Sequence, residues 1–422
     1  MKKASPDSQS LNDWLSYLES IHPSEIELGL TRVQKVAKDL GLLEDLGHVI
    51  LVGGTNGKGS TCAYIEQLLL AAKQTTGVFS SPHLITYNER VRINGEQLPD
   101  AAHVDALAFI EEGRRDTTLT YFEFNTLAAL YLMKQAQVDF FILEVGLGGR
   151  LDSTNIVDAD MAIITSIGLD HQSWLGDTRE AVAFEKSGIF RAQQRVICGE
   201  PEPPQTLIER ATELSCNISY KGTDFSFSLN DGANWLFNGS QVIDDLPNTR
   251  LPMTNAATAL AAFSELAIDC KLTLGVDKIR QVIADTCLPG RLQTISDAPQ
   301  IVLDVAHNPQ AGEYLAQWLA HHPAKKVHCV CAMLGDKDSR ATLAVVAPHI
   351  DLWYLASLQC PRGASAEELA KHVAKEKSVG TYSQVTDALA AATEQANSDD
   401  LILVFGSFFT VSAVLSPTAS IE

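Results

Sequence analysis

The stretch Val49-Ile-Leu-Val-Gly-Gly-Thr-Asn-Gly-Lys-Gly-Ser-Thr61 joins a short apolar strand to a glycine-rich turn and a helix-like segment. This order is typical of a loop that binds nucleotide phosphate, because glycines let backbone amides close around an anion and a helix N-terminus adds partial positive charge. Lys58 is placed to reach the terminal phosphates. A strand-to-helix turn without a ligand is the alternative, but such a turn rarely contains a lysine followed closely by serine and threonine.

The loop departs from the strict phosphate-loop pattern GxxxxGK[ST] at two positions. That pattern requires a glycine and a hydroxyl residue where this chain has Val52 and Gly59. Ordinary GTPases and motor ATPases are therefore less favoured. The question becomes which other reaction uses the bound phosphate.

The composition is that of an acidic, folded protein with more than one domain. A chain of 422 residues is longer than a domain with a single hydrophobic core usually is, and 45% of the residues are hydrophobic. With 32 Lys and Arg against 52 Asp and Glu, the net charge of −20 repels nucleic acid and anionic membranes, so neither is an expected partner. An acidic protein that handles phosphates needs a cation to offset its own field, which predicts magnesium beside the glycine loop.

The eight cysteines are scattered and form no Cys-x-x-Cys pair, which indicates free thiols in a reducing compartment. Polar residues follow Lys2 and Lys3, and no run of about 18 apolar residues occurs. Neither a signal peptide nor a membrane span is therefore predicted. We expect a cytoplasmic protein and a monomer.

Apolar strand-like runs alternate with helical stretches, which predicts an α/β fold. The first domain, residues 1–288, is predicted to be a phosphate-loop ATPase-like parallel sheet covered by helices. Its strand-like runs lie at 49–52, 77–80, 139–145, 161–167 and 195–199. Two further segments, 86–100 and 219–245, are predicted to be β-hairpin additions.

Leu288-Pro-Gly-Arg291 predicts a hinge between domains, to which we assign residues 289–298. The alternation of strands and helices then restarts, with strand-like runs at 301–305, 327–332, 352–356 and 401–405. A smaller Rossmann-like α/β domain is therefore predicted over residues 299–422.

Several polar side chains follow predicted strands, where open parallel sheets bind their ligands. The hydroxyl of Ser81 is either a cation ligand or part of a turn or helix cap. Glu144 ends a buried strand, where a carboxylate needs a metal or a cationic partner. Asp170 and His171 suit a metal, with an exposed turn as the alternative.

Lys186 lies near the end of a predicted helix that Gly188 caps. Its position alone predicts an ordinary helix-end lysine that interacts favourably with the helix dipole. In the second domain, polar turns follow three strands and indicate another ligand-facing edge. These turns begin at Asp304, Gly335 and Gly406.

Together these motifs resemble the folylpolyglutamate synthase family of the Mur ligase superfamily, and within it the bacterial bifunctional dihydrofolate synthase/folylpolyglutamate synthases. The resemblance extends in order over nearly the whole chain and accounts for the deviant glycine loop, because Mur-type ligases share the GTxGK form. It rests on GTNGKGS at 54–60, SSPH at 80–83, YFEF at 121–124, LEVGLGGRLDSTN at 143–155, GLDH at 168–171, EKSG at 185–188, LPGR at 288–291 and DVAHNP at 304–309.

The resemblance implies a ligase that uses ATP and two Mg²⁺ ions to join L-glutamate to dihydropteroate and to reduced folates. ATP converts the acceptor carboxylate into an acyl phosphate, from which the glutamate amine displaces phosphate. It implies that Gly57, Lys58, Gly59 and Ser60 hold the phosphates, that Ser81, Glu144 and His171 ligate magnesium, and that Asn255, Arg291 and Asp304 contact ATP between the two domains. The catalytic set is Lys58, Glu144, His171 and Lys186.

The resemblance also implies a pocket for dihydropteroate, in which Phe122 suits stacking and Asp152 suits hydrogen bonding to the pterin. The pocket is formed by Ile26, Glu27, Leu28, Thr120, Tyr121, Phe122, Glu123, Leu151, Asp152 and Ser153. The family's equivalent of Lys186 is carbamylated, which turns a cation into an anion that supports the second magnesium and reverses the helix-dipole interpretation. The glutamate subsite is expected near Ser407 and residues 306–309.

Three alternatives stand beside this reading. A monofunctional folylpolyglutamate synthase has the same chemistry with a narrower substrate range. A Mur-type cell-wall ligase usually has a whole domain before the glycine loop, whereas only about 50 residues precede Gly53. A nucleotide-binding switch without catalysis is disfavoured because Glu144, His171 and Lys186 occur together.

Overall fold

The apolar run that precedes the glycine loop forms the centre of a parallel sheet. Strand β1 (His48–Gly53) pairs in parallel with β5 (Phe140–Glu144) on one side and with β6 (Met161–Ile164) on the other. Nearly every residue of these three strands is buried. Because both faces are covered, the strands are continuous apolar runs and do not alternate with polar residues.

The computed structural model describes residues 10–22, 27–230 and 234–415. The chain divides into two compact units, Met1–Thr286 and Cys287–Glu422. The main sheet of the first unit has the order β4-β3-β2-β5-β1-β6-β7-β8, completed by β2 (Thr76–Phe79), β3 (Val91–Ile93), β4 (Glu96–Gln97), β7 (Arg195–Cys198) and β8 (Asn217–Tyr220).

Ten α-helices belong to the described part of this unit, and several of them cover the sheet. They are α1 (Leu11–Ile21), α2 (Thr31–Asp39), α3 (Lys58–Ala71), α4 (Asp100–Arg114), α5 (Tyr121–Gln135), α6 (Gln172–Leu175), α7 (Arg179–Ser187), α8 (Gln205–Glu213), α9 (Met253–Asp269) and α10 (Val276–Asp285). None of the helices in the described ranges combines the length and hydrophobicity that a lipid bilayer requires.

Antiparallel additions occur in both predicted segments. Asn94 and Gly95, with φ of 54° and 84°, form the turn between β3 and β4. The second segment contributes a separate three-stranded sheet in the order β11-β10-β9, formed by β9 (Ser226–Leu229), β10 (Trp235–Asn238) and β11 (Val242–Leu246).

The second unit contains a six-stranded sheet in the order β12-β13-β17-β14-β15-β16. Its strands are β12 (Gln293–Asp297), β13 (Gln300–Asp304), β14 (Val327–Cys331), β15 (Leu352–Ala356), β16 (Ser378–Tyr382) and β17 (Leu401–Phe405). Its helices are α11 (Pro309–Ala320), α12 (Ser339–Val346), α13 (Ala366–Ala370), α14 (Val385–Gln395) and α15 (Phe408–Leu415). All strand pairs except β12 with β13 are parallel.

The architecture confirms the predicted fold class, a large parallel-dominated sheet with β-hairpin additions followed by a smaller α/β unit. Half of the segment assigned to a hinge, 289–298, has regular structure. Residues 293–297 form β12, which pairs antiparallel with β13 at the edge of the second sheet. Only one of its five residues carries an aliphatic side chain, so its sequence gives a weak strand signal.

The buried central strand β17 should dominate the stability of the second unit. Val404 lies fully buried in β17, whereas Val379 lies on the edge strand β16 with 41% of its surface exposed. We expect Val404→Ala to lower the free energy of unfolding by about 2–3 kcal/mol through lost burial and a residual cavity. Val379→Ala, the matched control, should change it by less than about 0.5 kcal/mol. Equal effects in urea unfolding followed by tryptophan fluorescence would contradict this ranking.

Candidate active site

The glycine loop is held in a conformation that only glycine permits at two positions. Gly57 precedes α3 with φ of 88°, and Gly54 has φ of 148°. A Cβ atom added to Gly54 would lie 1.9 Å from Oγ1 of Thr165, and one added to Gly57 would lie 2.5 Å from Oδ1 of Asn255. The loop is therefore packed directly against the end of β6 and the first turn of α9.

Hydrogen bonds fix the same loop to the segment that follows β6. The Thr165 hydroxyl donates to the carbonyl of Asn56 at 2.7 Å, and the Asn56 amide donates to Oγ of Ser166 at 3.0 Å. The Thr55 hydroxyl exchanges hydrogen bonds with the backbone of Gly168, both at 3.0 Å. Sequence reasoning missed these hydroxyl residues. The available signal was the run Thr165-Ser166 directly after a buried strand.

Two lysines from different helices meet at one carbonyl oxygen of the loop. Nζ of Lys58 donates to the Gly54 carbonyl at 3.1 Å, and Nζ of Lys186 donates to the same oxygen at 2.9 Å. Burial, followed by the charge of Lys58, lowers the pKa of Lys186 to about 7. Lys186 is in the last turn of α7, as a helix-dipole lysine would be, but it is only 3% exposed. A buried lysine with this pKa is substantially neutral at physiological pH.

The structure brings the predicted magnesium ligands Ser81 and Glu144 together. Glu144 ends β5 directly beside Val52 of β1, and its carboxylate is buried. Ser81 follows β2, the neighbour of β5 on the other side, and its amide donates to Oε2 of Glu144 at 3.3 Å. Because these strands are parallel, their carboxyl ends meet at one edge of the sheet, beside the glycine loop.

His171 follows β6, the next strand along that edge. It adopts a left-handed conformation with φ of 50° at the start of α6, and its amide donates to Oδ1 of Asp170 at 2.8 Å. The charge of Asp170 acts on Lys186 and raises its pKa, which opposes the effect of burial. This segment therefore lies within electrostatic range of the buried lysine.

The hydroxyl of Ser81 and the carboxylate of Glu144 suit magnesium, since this ion prefers oxygen ligands, takes one or two carboxylates and otherwise keeps waters or substrate phosphates. An imidazole such as that of His171 is a less usual ligand for this ion. Over the described ranges, no three side chains among histidine, cysteine, aspartate and glutamate converge in a metal cage. The buried Glu144 carboxylate beside a loop shaped for anions fits an ion that also binds phosphate oxygens.

The predicted pterin residues lie at the start of α5 and in the loop after β5. Thr120 and Glu123 form a capping box, in which Glu123 accepts from the Thr120 amide at 2.7 Å. Arg32 donates to the Glu123 carboxylate at 3.1 Å and also contacts Glu27. Leu28 follows Glu27 within the described residues, whereas Ile26 lies outside them. Arg32 was not singled out from the sequence.

Phe122 and Asp152 are held in place by close packing and hydrogen bonds. A Cβ atom on Gly146 would lie 2.5 Å from Cζ of Phe122, so the ring occupies the space that this glycine leaves. The buried Asp152 carboxylate accepts from the Leu147 amide at 2.8 Å and the Thr154 hydroxyl at 2.6 Å. Burial raises its pKa despite these hydrogen bonds.

Other members of the predicted pocket share this neighbourhood. The Ser153 and Thr126 hydroxyls are 2.6 Å apart, and Leu151 precedes Asp152 in the same loop. Arg90 lies with its guanidinium carbon 5.5 Å from the centre of the Tyr121 ring, a contact that the sequence gave no reason to expect.

In the second unit, Asp304 ends β13 and is buried. Its carboxylate accepts from the amides of Leu292 at 2.9 Å and Ala306 at 2.8 Å. Burial raises its pKa, and the nearby Arg291 opposes that rise. The Arg291 guanidinium lies 5.3 Å from the centre of the Phe408 ring. Arg291 and Asp304 are therefore neighbours at the start of this unit.

Comparison with known proteins identifies the family. The family model "Mur ligase middle domain" matches residues 52–240, and "Mur ligase, glutamate ligase domain" matches residues 290–408. The dihydrofolate synthase/folylpolyglutamate synthase of Escherichia coli (strain K12) is 47% identical over 416 residues, which cover 98% of this chain and 97% of the relative. The chain belongs to the dihydrofolate synthase/folylpolyglutamate synthase family.

Solved structures agree with this family assignment and confirm the resemblance drawn from the sequence motifs. E. coli FolC in complex with DHPP and ADP superposes with a TM-score of 0.92 at 46% identity, covering 97% of both chains. A bifunctional folylpolyglutamate synthase/dihydrofolate synthase with Mn, AMPPNP and L-glutamate bound gives a TM-score of 0.90 at 46% identity, covering 98% of this chain and 99% of that one.

The glycine loop generates a test of nucleotide binding. In Gly54→Ala the new methyl group meets the Thr165 hydroxyl, which its hydrogen bond to the Asn56 carbonyl holds in place. We expect nucleotide affinity to fall by about tenfold or more, equivalent to about 1.4 kcal/mol. Gly275→Ala is the control, because φ there is −69° and a Cβ would meet nothing within 4 Å. Titration with a fluorescent ADP analogue measures both; wild-type affinity in Gly54→Ala would refute the packing argument.

Proposed function

We propose that this member of the family is an ATP-dependent ligase that adds L-glutamate to dihydropteroate, forming dihydrofolate, and to reduced folates, forming polyglutamates. The observation that carries the proposal is the meeting of Lys58 and Lys186 at the Gly54 carbonyl, beside the buried Glu144. The arrangement gathers cationic and metal-binding groups where a phosphoryl group would be transferred.

The reaction has two steps. A substrate carboxylate oxygen attacks the γ-phosphorus of ATP, the bond to the bridging oxygen breaks, and ADP leaves. The glutamate amine then attacks the acyl carbon, phosphate leaves with the bonding electrons, and the nitrogen loses a proton. Neither step needs a protein nucleophile, so the chain contributes positioning and charge stabilisation.

Each predicted residue takes a role in this scheme. Gly57–Ser60 hold the phosphates, and Ser81, Glu144 and His171 would hold magnesium, which neutralises phosphate charge. Asn255, Arg291 and Asp304 contact ATP. The described members of the pterin set, which lie in 27–28, 120–123 and 151–153, hold the pteridine. The turn containing Ser407, whose hydroxyl is 2.7 Å from that of Thr410, and residues 306–309 supply the glutamate subsite.

Lys186 is proposed to act as a carbamate. Its neutral amine attacks carbon dioxide, a carbon–nitrogen bond forms, and a proton is released. The lowered pKa of about 7 supports this reaction, because the free base is the reactive form. The product is an anionic side chain that can ligate a second magnesium.

Both activities are included because relatives that cover nearly the whole chain carry both in their names. These include the proteins of E. coli and of Haemophilus influenzae, the latter 44% identical over 98% of this chain. A relative named folylpolyglutamate synthase alone, from Lacticaseibacillus casei, is 31% identical. The eight cysteines are free thiols, which supports a reducing compartment and hence the cytoplasm. We also propose that the protein is a monomer.

The direct test is a product assay. With ATP, magnesium, L-glutamate and dihydropteroate, we expect phosphate release and a pterin product heavier by one glutamyl residue, followed by mass spectrometry. Omission of glutamate is the control and should prevent the mass increase. Phosphate release without any change in the mass of the pterin compound would exclude the ligase reaction.

The two lysines at the Gly54 carbonyl provide a matched pair of variants. Lys186→Ala should reduce turnover by about a hundredfold or more, by loss of a group that stabilises transition-state charge. A short carboxylic acid such as acetate should partly restore it by replacing the carbamate. Lys58→Ala should lose similar activity without rescue, because its role requires a cation. Rescue of both variants, or of neither, would remove the carbamate assignment.

A further inference from the structure

Arg90 is a buried cation whose contacts are all with neutral groups. Arg90 is 8% exposed and is the last residue of a 3₁₀ turn, Tyr87–Arg90. Nε donates to Nδ1 of His83 at 2.8 Å, and because that ring nitrogen accepts a hydrogen bond from an arginine, the imidazole carries no proton there. The guanidinium also lies 5.9 Å from the Tyr87 ring centre and 5.5 Å from the Tyr121 ring centre.

No carboxylate in residues 10–22, 27–230 or 234–415 forms an ion pair with Arg90. The contrast with Arg92, two residues later, is informative. Arg92 donates through Nε and Nη2 to the buried Glu66 carboxylate, at 3.2 and 2.7 Å to Oε2. Burying a charge without an opposite charge is costly, so such groups in native proteins are usually matched by a partner or a ligand.

The position of Arg90 indicates which ligand supplies the missing charge. On one side, its partner His83 is two residues beyond Ser81, whose amide contacts Glu144. On the other side, its partner Tyr121 belongs to the proposed pterin pocket. The guanidinium therefore lies between the loop after β2, which contains Ser81 and His83, and the proposed pterin pocket. In a substrate that extends from the pterin pocket toward the phosphates, the group at this point is a carboxylate.

We infer that Arg90 binds a carboxylate of the acyl substrate. The rings of Tyr87 and Tyr121 pack against the guanidinium, and His83 accepts the hydrogen bond from Nε. The terminal nitrogens, which have no hydrogen-bond partner among residues 10–22, 27–230 and 234–415, are left to pair with two carboxylate oxygens, the geometry that arginine favours. This inference rests on the proposed function and assigns the carboxylate end of its substrate. The carboxylate comes either from dihydropteroate itself or from the terminal glutamyl group of a reduced folate.

The test compares acids with neutral ligands of the same shape. Binding of dihydropteroate and of its primary carboxamide is measured by calorimetry on the full chain, with ADP and magnesium present. Wild-type protein should bind the acid at least about tenfold more tightly than the amide. Arg90→Met should bind both equally, and Arg90→Lys should recover part of the difference because it keeps a point charge. An acid-to-amide ratio that Arg90→Met leaves unchanged both for dihydropteroate and for the tetrahydrofolate pair of the second arm would overturn the assignment.

A second arm repeats the comparison with tetrahydrofolate and its diamide. If Arg90→Met no longer distinguishes acid from amide in either arm, Arg90 binds the carboxylate nearest Ser81 and Glu144 in both substrates. Loss for tetrahydrofolate alone assigns Arg90 to the glutamyl carboxylate, and either result supports the subsite. Because binding is measured without turnover, a chain that forms no product but keeps the Arg90-dependent ratio would refute the ligase proposal and leave the subsite standing.

Thermal unfolding separates a receptor from a structural arginine. Without ligand, Arg90→Met should leave the melting temperature unchanged or raise it, since an unpaired buried charge is removed. Arg92→Met should lower it, because Glu66 then loses its partner. Arg210→Met, at an exposed pair on α8, should alter neither melting temperature nor ligand binding. A marked destabilisation of the ligand-free Arg90→Met protein would show that the arginine serves the fold.

Discussion

The arrangement of the site depends on the Gly54 carbonyl and the space around it. Two buried or half-buried lysines donate to that oxygen, and the absence of a side chain at Gly54 lets the loop lie against Thr165. The close approach of Lys58 and Lys186 is electrostatically unfavourable. Burial and the neighbouring charge depress the pKa of Lys186 to about 7, so that near neutral pH the repulsion is relieved in the fraction of molecules whose Lys186 is uncharged. The Gly54 carbonyl thus joins the lysine of the glycine loop to the buried Lys186.

The parallel sheet supplies the remaining groups through its geometry. Strands β2, β5, β1 and β6 are adjacent and parallel, so the residues that follow them are delivered to one edge. Glu144 ends β5, and Ser81 and His171, which are far from it in the chain, follow β2 and β6. The glycine loop follows the fourth. Open α/β sheets bind ligands at this edge for the same reason.

Much of the fold and of the site was predictable because the signals are local. Short stretches of sequence were enough to predict several elements. Examples are the strand before the glycine loop, the Asn94-Gly95 turn and the continuous apolar run of β17. The residues of the glycine loop likewise predict anion binding without reference to distant parts of the chain. The sequence did not predict β12 and β16, because edge strands with polar, partly exposed side chains resemble loops in their sequence. Their conformation depends on pairing with a neighbouring strand.

The sequence by itself determined most of the order of strands and helices, the glycine loop and the family motifs, since these depend on residues close together in the chain. Only the tertiary structure decided the chemical state of particular side chains. Lys186 has the sequence signature of a helix-end cation, yet burial beside Gly54 lowers its pKa to about 7, so that a substantial fraction of the amine is neutral near pH 7. Arg90 has no sequence signature, and within the described ranges its neighbours are neutral groups of the loop after β2 and of α5 in place of a carboxylate. Desolvation and pairing are properties of surroundings that long-range contacts create, so no local pattern encodes them.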